Sequence, residues 1–383
     1  MSLVANVLLG VCSAWTLAGL AATYRVSRKR RVFPSDLPGV SVLKPLCGAD
    51  AGLERNLETF FLQDHPDFEL VFGVEDAADP ALTVVDTLRK RYPGVSVQVI
   101  VHGPSTLSLA QAGINPKVRN LRGMLPHATH DLVLVSDSNV SAPPDYLRDL
   151  VATHESDPRI GLVTNLFAGV AEDTLGAALE NVQLNGFCAG GTALPTLLGD
   201  SSVVGKSMLF RRSLIQELGG LERVKDVLAE DYVLGKTFQH AGYRVAIAST
   251  VLHNVTSKMT LKSFHERHLR WGMLRWRLRP VAYAAELLAS PLVLLPLAMA
   301  TLGPALGLAW CVAIALLRDV GGWFLLRGFD RLWLPLVLSP VREVSILFTW
   351  GRALFKRHIQ WRNNRVRLGA GTLLFEPKPS KAH

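Results

Sequence analysis

Only four cysteines occur in 383 residues, at Cys12, Cys47, Cys188 and Cys311. They are widely spaced and form no Cys-x-x-Cys pair, so neither a disulfide framework nor a cysteine zinc site is encoded. A glycine-rich phosphate loop, a His-Glu-x-x-His pattern and a Gly-x-Ser-x-Gly elbow are also missing, which removes the chemistries those motifs carry. Charge is unevenly withheld: residues 1–24 and Leu287–Leu317 contain no charged side chain. No repeat of 20–50 residues is visible, and no nucleic-acid recognition module accompanies the net charge of +9. A nucleic-acid partner is therefore not expected.

What is present is apolar residue in excess, 49% of the chain, concentrated toward its two ends. About twenty apolar residues cross a bilayer core. Residues 1–24 are read as an N-terminal transmembrane anchor. A signal peptide would carry its basic residues before the apolar run; here Arg25, Arg28, Lys29, Arg30 and Arg31 follow it. By the positive-inside rule the amino terminus then lies outside and the following domain inside. The region 286–352 is read as a C-terminal membrane region, interrupted by Pro291, Pro296, Gly303 and Pro304, so that Leu287–Leu317 is one broken span or two shorter ones. The basic segment 353–383 is expected as a cytosolic tail, disordered after Pro377, which requires an even number of crossings after residue 286.

Between the apolar ends, residues 36–257 alternate short β-rich runs with longer helical ones. Strands are expected at Val40–Leu43, Glu69–Val74, Val95–Val101 and Asp131–Ser136, with helices near 51–63, 80–91 and 145–154. This alternation predicts an α/β fold with a largely parallel sheet. Residues 160–215 are mixed; a helix near 231–240 and a strand at Tyr243–Ala248 follow. Residues 258–280 are basic, aromatic and helical in period, as in a helix lying at a membrane interface.

In open α/β sheets ligands bind at the carboxyl ends of strands. Asp76 and Asp137 each follow a strand-like run there, and Glu230-Asp231 follows Val227-Leu228-Ala229. Breaking a sugar–diphosphate bond leaves negative charge on the departing nucleotide. A hard cation such as Mg²⁺ or Mn²⁺, held by carboxylate oxygen, would stabilise that charge. Asp137 is the candidate metal ligand; capping of a following helix is the alternative. Asn139 in Asp137-Ser138-Asn139 offers an amide oxygen but no charge, and His253 is a weak further candidate ligand. Lys117 offers a fixed positive charge for phosphate. Asp76 could accept from a nucleoside or simply shape a turn. Asp231 is the candidate base for an acceptor hydroxyl, against the alternative that both carboxylates only favour a helix start. Arg267, Arg270 and Trp271 could bind diphosphate oxygens and stack near the acceptor, or anchor the interface.

Taken in order, these strings resemble the ceramide glucosyltransferase family. The resemblance rests on Ser41-Val42-Leu43-Lys44-Pro45-Leu46-Cys47-Gly48, Asn56–Phe61, Asp79-Pro80-Ala81 and Gly113-Ile114-Asn115-Pro116-Lys117. It continues through Asp137-Ser138, Ala229-Glu230-Asp231-Tyr232, Arg267-x-x-Arg270-Trp271 and the closing Trp361-Arg362 with Arg367-Leu368. It implies a GT-A domain facing the cytosol, here of a multi-pass protein of a bacterial inner membrane. The implied activity is inverting, metal-dependent transfer from a UDP-sugar to a lipid hydroxyl, UDP-glucose to ceramide being the expected pair. Lys44 and Asp76 would help hold the uridine, Asp137 the metal and diphosphate, and Asp231 would be the base. Family members commonly begin the last motif with Gln, where this chain has Arg267. Close relatives that add N-acetylglucosamine to hopanoids remain an alternative, as does a processive polysaccharide synthase.

Overall fold

In the computed structural model, residues 2–29, 32–103, 112–361 and 364–375 are described; Arg30, Arg31, Arg362 and the tail after Pro377 lie outside them. The chain divides into two compact units, one formed by Arg28–Leu166 with Pro195–Val255 and the other by Met1–Ser27, Phe167–Leu194 and Thr256–His383. The catalytic domain expected over 36–257 is thus interrupted, because the apolar helix Leu175–Gln183, all but one of whose nine residues are buried, clusters with the C-terminal helices.

The first unit is built on an eight-stranded sheet. Its strands are β1 (Val40–Pro45), β2 (Phe68–Val74), β3 (Ser96–Val101), β4 (Leu132–Ser136), β5 (Val140–Ser141), β6 (Ile160–Val170), β7 (Ser207–Arg211) and β8 (Arg244–Val255), in the spatial order β3-β2-β1-β4-β7-β6-β8-β5. The pairings of β3 with β2, β2 with β1 and β1 with β4 are parallel. Those of β4 with β7, β7 with β6 and β8 with β5 are antiparallel. The parallel half is the one whose strands alternate with helices in sequence, at Leu53–Phe61, Ala81–Arg91 and Pro116–Met124. A parallel pair needs a crossover of that kind. The antiparallel half comes from the mixed stretch, where that alternation fails, so the sheet is mixed rather than largely parallel.

Strands buried on both faces read as continuous apolar runs, and β4 is buried at all five residues. Leu43, Val71, Val118, Leu121, Val133, Val135, Phe210 and Phe238 are fully or almost fully buried in one core. Each such side chain contributes about 1.5–3 kcal/mol. That core holds the ends of β1 and β4 as a rigid platform.

The second unit is helical. Among the described residues, Leu3–Ser27 and Pro304–Arg327 are long and apolar enough to cross a membrane, and the helical pair Pro280–Ala289 and Pro291–Leu302, bent by 51°, makes a third if it is one span. The chain turns at Gly303, with φ 88°, so Leu287–Leu317 is two pieces and not one broken span. The helix Trp333–Phe355 carries Arg342 and Glu343 inside it, both buried. They join Arg318, Asp319 and Ser339: Asp319 accepts from Ser339 Oγ at 2.7 Å and from Arg318 Nε at 2.9 Å, and also pairs with Arg342, while Glu343 pairs with Arg318. In an apolar setting such groups persist only when paired. The segment expected as a plain basic tail instead forms β9 (His358–Trp361), β10 (Asn364–Leu368) and β11 (Leu374–Phe375), an antiparallel sheet. Ile359, Val366, Leu368 and Leu374 are buried there; alternate apolar positions among the arginines supply its inner face.

Candidate active site

The loop Gly113-Ile114-Asn115-Pro116-Lys117 folds as its residues dictate. Asn115 caps the helix Pro116–Met124, its side chain accepting from Val118 N–H at 3.2 Å, with proline tolerated in the first turn. Its amide donates to Val227 O at 2.7 Å, and its own N–H to Lys225 O at 2.8 Å. Gly113 has φ +95°, and a Cβ there would lie 2.7 Å from Lys225 Cβ. These contacts bring the loop before Glu230-Asp231 against the start of the helix that carries Lys117.

Lys117 is the hub. Its Nζ lies 2.9 Å from Asp137 Oδ1 and 3.1 Å from Glu230 Oε1, and donates to Gly205 O at 2.9 Å. Burial would lower its pKa, but Asp137, Glu230 and Asp231 outweigh burial and raise it. Burial would raise the Asp137 carboxyl, yet Lys117 and Lys206 hold it below the usual carboxylate value. Asp137 therefore stays ionised. The segment that follows it is β5, so the helix-capping alternative fails.

Asp231 sits in the first turn of the helix Glu230–His240. Its Oδ2 accepts from Gly205 N–H at 2.7 Å and its Oδ1 from Tyr232 N–H at 2.7 Å. Burial raises its pKa above the usual carboxylate value against the pull of Lys117. Glu230 is raised as well, first by burial and then by Asp231. A carboxylate raised in this way is a stronger base than a free one.

Two participants, Gly205 and Lys206, were not expected. Gly205 donates to Asp231 and accepts from Lys117, and a Cβ there would stand 2.9 Å from Lys117 Nζ and 3.1 Å from Asp231 Oδ2. Lys206 Nζ donates to Asn139 Oδ1 at 2.8 Å and lies 3.8 Å from Asp137 Oδ2. Glu230, the first carboxylate of the expected pair, shares the Lys117 ammonium with Asp137. The register of β4 with β7, in which Ser136 faces Ser207, carries Lys206 to Asp137; no motif announces it.

The remaining expected residues are placed as follows. Lys44 is fully buried: its Nζ donates to Ser136 Oγ at 3.1 Å and Asp137 O at 2.9 Å, 3.2 Å over the Phe60 ring. Burial lowers its pKa. It fixes the backbone that presents Asp137. Asp76 is exposed at the end of β2, its Oδ1 accepting from Ala78 N–H at 2.9 Å in a turn. His253 is exposed on β8. Arg267, Arg270 and Trp271 lie on the helix Leu261–Leu278 of the second unit. Lys44, Lys117, Asp137 and Asp231 are thus brought together, whereas Asp76 makes no contact with that cluster.

Among the described residues no group of three or more His, Cys, Asp and Glu side chains forms a metal cage. A divalent ion bound with a diphosphate needs only one or two carboxylates, the phosphates and water supplying the rest. Asp137, a partly exposed carboxylate, fits that mode; Asn139 offers only an uncharged amide oxygen, which accepts from Lys206.

The sheet unit presents these partly exposed charged side chains near its strand ends, in a chain that also carries long apolar helices. The model of glycosyl transferase family 21 matches residues 5–374, and the chain belongs to that family. It is 28% identical to ceramide glucosyltransferase 1 of Caenorhabditis elegans over 380 residues, 95% of this chain and 79% of that protein. It is 30% identical to ceramide glucosyltransferase 3 of the same organism over 368 residues, 93% of this chain and 78% of that protein. Among solved structures it is similar to the mannosyltransferase PcManGT of Pyrobaculum calidifontis in complex with GDP-Man and Mn²⁺, at 18% identity and a TM-score of 0.49, covering 92% of this chain and 99% of that one.

Proposed function

We propose that this chain transfers glucose from UDP-glucose to the primary hydroxyl of ceramide with inversion, giving a β-glucoside. The observation that supports it most is the set of Asp231, Lys117 and Asp137 around Gly205: a carboxylate raised toward base strength beside a carboxylate kept ionised, with an ammonium between them. Asp231 takes the acceptor's proton as its oxygen attacks the anomeric carbon, and the bond from that carbon to the β-phosphate oxygen breaks on the opposite face. Lys117 and Lys206 supply positive charge for the departing UDP, and Asp76 is assigned to the nucleoside. Arg270 matches phosphate oxygens with a planar fork of donors, and Trp271 is assigned to the acceptor side. Mg²⁺ or Mn²⁺ held by Asp137 would neutralise the charge developing on the diphosphate.

The apolar segments would place the protein across an inner membrane with its sheet unit in the cytoplasm. Inside-out vesicles, given UDP-glucose, Mg²⁺ and ceramide, should form hexosylceramide, and sealed right-side-out vesicles should not. Formation only of an aminosugar hopanoid from UDP-N-acetylglucosamine would move both substrate assignments. Long polymer, or no transfer from any UDP-sugar to lipid, would overturn the reading.

A further inference from the structure

Glu180 belongs to no motif and is fully buried on the helix Leu175–Gln183. Its two oxygens are divided between consecutive residues of the helix Leu261–Leu278. Oε1 accepts from Arg267 Nη1 at 2.9 Å, and Oε2 lies 2.7 Å from His268 Nε2. The His268 ring is in turn enclosed by Phe264, at 4.6 Å between centroids, and by the edge of Trp271, at 5.3 Å. Burial would raise the Glu180 carboxyl, but His268 and Arg267 overcome it and hold it at about 2. It is ionised at neutral pH.

The two helices are tied at their starts as well. Thr174, which caps the first by accepting from Ala177 N–H, donates to Met259 O at 2.5 Å. Thr260 caps the second by accepting from Ser263 N–H at 3.1 Å. Gly176 passes so close that a Cβ would lie 2.5 Å from Met259 O. The clasp therefore determines both the position and the rotation of the helix that bears the Arg-x-x-Arg-Trp residues. Arg270, half-buried, makes no hydrogen bond or ion pair among the described residues; burial, with Arg267 beside it, lowers its pKa. The two arginines of one motif thus differ in kind: Arg267 is committed and Arg270 is available.

We propose that Glu180 is the positioning residue of this motif helix, and that Arg267 serves as its clasp partner and not as a diphosphate ligand. The proposal rests on the glycosyltransferase reading above. Removing the carboxylate leaves Arg267 and His268 without the anion that orients them, and so loosens the helix that carries Arg270; a displacement of about 1 Å in a positioning group can cost about 10²-fold in rate.

The test compares Glu180→Gln, Arg267→Gln and Arg270→Gln in the full-length protein in detergent, measuring kcat and, separately, equilibrium affinity for UDP. Glu180→Gln should lower kcat about 10²-fold and weaken UDP binding by less than Arg270→Gln does. Arg267→Gln, which retains a donor for Glu180, should lose less and also bind UDP as the wild type does, whereas Arg270→Gln should weaken UDP binding. The double variant Glu180→Gln/Arg267→Gln, an uncharged hydrogen-bonding pair, should recover part of the turnover lost by Glu180→Gln. Wild-type kcat in Glu180→Gln, or UDP affinity lowered as much by Arg267→Gln as by Arg270→Gln, overturns the proposal. The affinity comparison needs neither turnover nor a folded Glu180 variant. It decides the role of Arg267 even if the wild type transfers no sugar to lipid, an outcome that would remove the functional reading instead.

Discussion

Two charged clusters in this molecule are built from the same chemistry and differ in what surrounds them. In the sheet unit, Lys117, Lys206 and Lys44 meet Asp137, Glu230 and Asp231, and side-chain exposure is 30% at Asp137 and 20% at Lys117. In the helical unit, Arg318 and Arg342 meet Asp319 and Glu343, and Asp319 and Arg342 are 0% and 2% exposed. The first cluster can exchange a partner for a phosphate oxygen or a metal ion, because water and ligand reach it. The second cannot exchange anything without leaving a charge in an apolar setting. Its position among long apolar helices makes it a fastener, and burial decides between the two uses.

The largest effect should come from breaking the fastener. Asp319→Leu leaves Arg342, Arg318 and Ser339 without their common acceptor. Removing one partner of a buried ion pair destabilises by about 3–5 kcal/mol. Thermal unfolding in detergent should show a large downward shift, and an unshifted transition would mean that the cluster is hydrated and not buried as described.

Breaking the open cluster should do the reverse, leaving the fold intact and removing chemistry. Asp231→Asn keeps the acceptor for Gly205 N–H but removes the carboxylate proposed as the base. We expect turnover to fall at least ~10²-fold, with UDP affinity and thermal transition close to wild type. Unchanged turnover would transfer the base role away from Asp231.

The same contrast governs how much the chain disclosed in advance. The four strands of the parallel half and Asp137 at the end of β4 were legible, because apolar runs and turn residues are local signals. The start of the helix Glu230–His240 was legible for the same reason. Lys206 and Gly205 were not, since their relation to Asp137 and Asp231 arises only from the antiparallel pairing of β4 with β7, across a stretch with no periodicity. Glu180 was hidden likewise: it meets Arg267 and His268 87 and 88 residues further along the chain. The small sheet β9–β11 was masked by its arginines, which drew attention to charge and away from the alternating Ile359, Val366, Leu368 and Leu374.

The finest test of the open cluster is its pH dependence. The base role proposed for Asp231 requires its unprotonated form, so kcat/KM should rise with pH through the pKa of that group. Burial raises this pKa, placing the acid limb above the usual carboxylate range, and Lys117 acts against the shift. Replacing Lys117 by Gln removes the one ammonium that Asp137, Glu230 and Asp231 share, so each carboxylate holds its proton more tightly. The acid limb of kcat/KM in Lys117→Gln should therefore move to higher pH, whatever happens to the plateau through weaker diphosphate binding. Normalised profiles separate the two effects, because loss of a phosphate contact scales the curve and loss of a neighbouring charge displaces it. A limb that stays in place, or moves to lower pH, would mean that the Lys117 charge does not reach the base, and that the accessible cluster is two independent sites.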